Sequence, residues 1–276
     1  EKDYNKYVRL SISEAWARYA TPEFGDFVVP QKIIQYVIEA RKEKYVKDSN
    51  IPQDKKRFED AKNVANLFLK ETKINSFAIY SIMGALFVKC GWSFDGKVYN
   101  SLEYAGGGAA GTDGKKGCGE CWFGLTFWNQ KEKIINKLNP PGINYNSAAS
   151  PPAGMLTSLD RTWQCKIMEA YMESLPKYHV ENLFMENKPN YSDEERESIL
   201  YSTYLWKAGC GYKPTFKDMK ECTSRYKATH TKQAKSENYK PNDGFALQIY
   251  IAILFSFYIK EDKIYTPAEI DKKNGV

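Results

Sequence analysis

Two stretches of this chain are apolar on nearly every face of a helix, and they limit its possible folds more than any other feature. They cover residues 77–91 and 245–259. A helix that is apolar all round has no face suited to water, so each stretch is predicted to be a helix buried inside the fold. The second contains Gln248 and Ser256 and is shorter than the roughly 20 residues that cross a bilayer. We therefore expect no membrane span.

Further helices are predicted wherever apolar residues recur at helical spacing. Asn75 or Ser76 can cap the helix over 77–91, because either side chain can accept a hydrogen bond from the first turn. The chain is therefore expected to have a mainly α fold. The other predicted helices cover residues 4–19, 31–46, 57–70, 131–138, 156–175, 194–207 and 216–226.

The net charge of +6 suits a polyanionic surface such as a bacterial wall or a nucleic acid, although a value this small also arises for solubility alone. The chain has no run of basic residues interleaved with aromatics and no recognisable helix-turn-helix or RNA-recognition signature. We therefore expect no nucleic-acid partner.

The six cysteines are too few for a disulfide scaffold in a chain of 276 residues. Cys118 and Cys121 form a C-x-x-C motif that can ligate a metal, cycle between redox states, or do neither. A structural zinc site needs a second pair of ligands, and the isolated His179 and His230 have no such spacing. We expect no metal and no cofactor, and the redox state of the motif stays open.

One segment carries residues that point to a chemistry. It begins with S-I-M-G-A-L-F-V-K-C-G-W-S-F at 81–94 and V-Y-N at 98–100, continues through a glycine-rich loop at 104–121, and ends with F-G-L-T-F-W at 123–128. Glycines permit tight turns and close approach of the backbone to a ligand. Residues 75–128, about a fifth of the chain, resemble phage tail lysozymes, which belong to the wider lysozyme and lytic transglycosylase class.

The resemblance implies a lysozyme-like helical domain with a glycine-rich cleft loop and additional flanking helices. In that family a buried helix supplies a glutamic acid, and a G-L-x-Q-W stretch lines the groove for the glycan. Cleavage of a glycosidic bond needs a carboxylic acid that an apolar setting keeps protonated. The expected organisation is N-terminal helices over 1–74, a lysozyme-like domain over 75–235, and a C-terminal buried helix and tail over 236–276, together in one compact unit.

Two positions depart from the family pattern. Gly84, Gly91 and Trp92 match the acid-bearing helix, but Lys89 falls where the glutamate belongs. Gly124, Leu125 and Trp128 match the groove, but Phe127 replaces its glutamine. Because a lysine cannot be the acid, the activity is either lost or moved to another residue.

Three carboxylates near the glycine-rich loop are candidates for the moved activity. Glu120 is the predicted acid, with Asp113 or Glu103 as the second carboxylate; alternatively all three are simply solvated. Lys89 either benefits from the helix dipole, forms an ion pair with Glu120 or Glu103, or binds an acidic group of the ligand. Five aromatic residues are predicted either to stack on sugar rings or to pack in the core: Trp92, Tyr99, Trp122, Phe127 and Trp128.

Two functions follow from this resemblance. The first is a virion-associated or secreted enzyme that degrades peptidoglycan, a lysozyme-like muramidase acting on the glycan strands of the bacterial wall. The second is a catalytically degenerate module that binds glycan or other virion tail proteins. A third possibility is that the resemblance is accidental and the chain is an unrelated helical protein.

Overall fold

The computed structural model describes residues 24–44, 46–89, 137–141, 160–174, 181–207 and 242–273. Within these ranges 73% of the residues are helical and none forms a strand. The prediction of a mainly α fold is thereby confirmed at the level of class.

Eight helices of five residues or more lie in the described part of the chain. They are α1 (Gln31–Lys42), α2 (Lys55–Glu71), α3 (Ser76–Lys89), α4 (Arg161–Ser174), α5 (Glu181–Met185), α6 (Asp193–Lys207), α7 (Asn242–Glu261) and α8 (Pro267–Lys273). Six of them coincide with predicted helices to within a few residues. The helices predicted at 4–19 and 216–226 lie outside the described residues, as do residues 131–136 of the helix predicted at 131–138.

Helix α7 is the central element of the described fold. It contacts α1, α2, α3 and α6, and nearly all of its side chains from Phe245 to Tyr258 are buried. The helix has 20 residues. The prediction of no membrane span considered only the 15 residues of the apolar stretch at 245–259. By length and composition its segment Gly244–Glu261 is able to cross a bilayer, but 72% of that segment is buried inside the protein. The central helix of a helical core has the same properties.

Helix α3 crosses α7 at Gly84, where the two backbones come into contact. A Cβ atom at position 84 would lie 2.3 Å from the carbonyl oxygen of Gln248 and 3.1 Å from the Cβ of Ala252. Both distances are shorter than van der Waals contact allows, so only glycine permits this crossing. One turn further on, the Phe87 ring packs edge-on against Phe255, with 5.4 Å between ring centroids.

Side-chain caps define several of the helix starts. The Asn75 carboxamide oxygen accepts a hydrogen bond from the Ala78 N–H at 2.9 Å, which confirms the predicted cap of α3. Ser192 and Glu195 form a reciprocal capping box at the start of α6, and Thr266 and Glu269 form another at α8. Both pairs have the S/T-x-x-E spacing.

Candidate functional site

The candidate site lies at the C-terminal end of α3, and the position of this helix is set first at its other end. Besides capping the helix, Asn75 donates its amide hydrogens to the carbonyls of Leu183 and Phe184, at 2.7 and 2.9 Å, with a longer contact of 3.3 Å to that of Glu186. The Asn75 backbone N–H also donates to the Phe184 carbonyl. One buried side chain thus joins the start of α3 to the end of α5.

From this anchor α3 runs through the core. Residues 77–87 are all buried and Val88 is half-buried, and Lys89 is the last residue of α3 that the structure describes. Gly84 and Phe87 hold its last two turns against α7. Position 89 therefore lies on the last described turn of a core helix, five residues beyond the close contact between Gly84 and the Gln248 carbonyl.

Lys89 is the one predicted site residue within the described part of the chain. The predicted carboxylates Glu103, Asp113 and Glu120 lie outside the described residues, as do Trp92, Tyr99, Trp122, Phe127 and Trp128. The proximity of Lys89 and Glu120 in one groove therefore remains a prediction.

The structure contains a charged cluster centred on Arg41 that was not predicted from the sequence. The guanidinium makes two hydrogen bonds to the Asp271 carboxylate, at 3.2 and 2.6 Å. It also donates to Asp48 at 2.7 Å and to the Val46 carbonyl at 2.8 Å. Arg41 and Asp271 are 230 positions apart in the chain, and no local pattern pairs them.

Tyr250 completes the Arg41 cluster. Its hydroxyl donates to Asp271, at 3.1 Å, and contacts the Pro267 carbonyl at 3.2 Å. Burial, followed by the charge of Asp271, raises the pKa of Tyr250 far above its ordinary value, so the phenol stays protonated. Four guanidinium N–H groups of Arg41 already have partners. The cluster therefore fastens α8 to α1 and α7, and it has little capacity left to bind a ligand.

A small cleft with a volume of about 10 Å³, room for about one water molecule, adjoins the Arg41 cluster. Its walls are mainly aliphatic, and the polar groups at its base are the paired Arg41, Asp271 and Tyr250. No unpaired acid or base faces it from these residues. Its lining residues are Ile34, Val37, Ile38, Arg41, Tyr250, Ile253 and Asp271.

Within the described ranges neither a reactive cysteine nor a cluster of metal ligands is found. Cys165 is a free cysteine buried in α4, and burial, followed by the charge of Glu71, raises the pKa of its thiol. A thiol in this setting is protonated at neutral pH and is a poor nucleophile. No three His, Cys, Asp or Glu side chains in these ranges are grouped so as to hold a metal ion.

Three polar side chains are buried on α3 and α7 without hydrogen-bond partners among the described residues. They are the hydroxyls of Tyr80 and Ser81 and the side-chain amide of Gln248. The Gln248 side chain is fully buried, and its backbone carbonyl is the atom that faces Gly84.

Comparison with known proteins finds no match: no family model, no curated protein and no solved structure is significantly similar to this chain. The case for a lysozyme-like cleft therefore rests on the motif at 81–128 and on the location of its first part at the end of a buried helix.

Proposed function

We propose that this chain is a lysozyme-like domain that degrades peptidoglycan and is carried by a phage particle. The observation that carries the proposal is the motif S-I-M-G-A-L-F-V-K-C-G-W-S-F followed by a glycine-rich loop and F-G-L-T-F-W. The location of position 89 supports it. A glycosidase acid needs an apolar setting, and on α3 position 89 follows eleven consecutive buried residues, 77–87, and the half-buried Val88.

The chemistry then requires an acid other than residue 89. In the proposal Glu120 protonates the leaving oxygen of the bond between N-acetylmuramic acid and N-acetylglucosamine. Asp113 or Glu103 serves as the second carboxylate, which either attacks the sugar or activates a water molecule. The aromatic residues of the segment stack on the sugar rings, because the C–H faces of sugars suit π surfaces.

The release of muropeptides from purified walls tests this proposal. We expect the unmodified chain to release them and Glu120→Gln to lower the rate at least about 100-fold, the usual contribution of a general acid. Asp113→Asn and Glu103→Gln, made separately, identify the second carboxylate. Circular dichroism establishes that each variant is folded. Absence of cleavage at any pH against several wall types would exclude the enzymatic function.

The second candidate function is a non-catalytic module that holds glycan or a tail protein in the same groove. The observation that favours it is the simultaneous departure at Lys89 and Phe127, which removes both polar groups of the family pattern. Gly84 does not weigh against this candidate. Its identity is already explained by the contact with the Gln248 carbonyl, so it supports a helix crossing rather than a chemistry.

The pair Lys89→Glu and Lys89→Gln separates the two candidates. Both variants remove the positive charge, but only the first introduces a carboxylic acid. If the chain is a degenerate lysozyme, Lys89→Glu gains wall cleavage, Lys89→Gln does not, and the unmodified chain sediments with walls without cutting them. Cleavage by the unmodified chain that Glu120→Gln abolishes would reject the binding-only function.

A further inference from the structure

We draw no further inference here: the strongest candidate, the buried and unpartnered polar groups of Tyr80, Ser81 and Gln248 on α3 and α7, adjoins nothing in the described part of the chain that shows what these groups would bind.

Discussion

Helices α2 and α6 both pack against the α3–α7 pair, yet they are buried in different ways. Helix α2 fully buries one apolar stripe at helical spacing, and its other residues are half-buried or exposed. The buried residues are Phe58, Ala61, Val64, Ala65 and Phe68. Helix α6 is buried over seven consecutive residues, 198–204, and three of these are serine or threonine. A stripe shows from the sequence alone which face is buried, whereas the apolar spacing that predicted α6 does not mark its hydroxyl residues Ser198, Ser202 and Thr203 as buried.

The two helices also differ in what stabilises them. Burial of the α2 stripe contributes roughly 25 cal/mol for each Å² of apolar surface removed from water. A buried hydroxyl on α6 must instead replace its bonds to water. The Thr203 hydroxyl does so by donating to the Ile199 carbonyl at 2.7 Å, within its own helix. Such an exchange contributes only about 1 kcal/mol net.

The largest expected effect is that of Phe58→Ala on α2. The Phe58 ring is fully buried and packs against Phe255 and Tyr258, at 5.4 and 5.3 Å between centroids. Its removal leaves a cavity and should lower the free energy of unfolding by about 3–5 kcal/mol, measured by urea denaturation. The matched change on α6, Thr203→Val, should cost about 1 kcal/mol or less. Equal losses would refute the proposed difference between the helices.

The next effect is that of Gly84→Ala. This substitution changes the contact between α3 and α7, against which α2 and α6 both pack. In a helix alanine is favoured over glycine by about 1 kcal/mol, so an unhindered substitution would stabilise the protein. Here the new methyl group meets the Gln248 carbonyl. We expect a loss of about 3 kcal/mol, at the upper end for overpacking. Hydrogen exchange should show weaker protection in α2 and α6 alike; a stabilised variant would show that the crossing has no steric restriction.

The third effect concerns Asn75, which joins the start of α3 to α5, the short helix that packs against α6. Asn75→Ala removes the cap of α3 and the amide donor to the Leu183 carbonyl, although the backbone N–H still donates to the Phe184 carbonyl, so we expect a loss of about 2 kcal/mol. Asn75→Asp keeps an oxygen for the Ala78 N–H but places a negative charge beside the Leu183 and Phe184 carbonyls. It should therefore be no more stable than Asn75→Ala, measured by thermal unfolding. A fully stable Asn75→Asp would show that the cap alone matters.

The smallest effect concerns the acid sensitivity of α6. The hydrogen bond from Lys188, followed by that from the Ser192 N–H, lowers the pKa of Glu195 below its ordinary value. This contribution is fully present above the unfolded pKa of about 4.3 and is lost as the pH falls through the lower folded value. The stability difference between the unmodified chain and Glu195→Gln should therefore be largest near neutral pH and shrink in acid.

Urea unfolding at about pH 7 and about pH 3 measures this difference. Glu194→Gln is the matched control, because it removes a carboxylate from the same turn that makes no hydrogen bond in the described part of the chain. A difference between the unmodified chain and Glu195→Gln that does not change with pH would contradict the ionic role of Glu195.

The candidate site was predictable only in part. The buried course of α3 over residues 77–87 follows from its apolar sequence, and the cap at Asn75 follows from its side-chain chemistry. The hydrogen bonds that the Asn75 side-chain amide donates to residues 183–186 were not predictable, because they join segments more than 100 positions apart. The positions of Glu120 and the groove aromatics relative to Lys89 remain predictions.

By itself the sequence determined six of the eight described helices and where several of them begin, because helical periodicity and caps depend on neighbours within four residues. The short helices α5 and α8 were not predicted. The sequence also marked α3 and α7 as interior helices, because neither has a face suited to water. Only the tertiary structure decided that Gly84 faces the Gln248 carbonyl, that Arg41 holds Asp271, and that α6 is buried despite its hydroxyls. Each of these is a contact between distant segments, which depends on how the helices pack against one another and not on the local sequence.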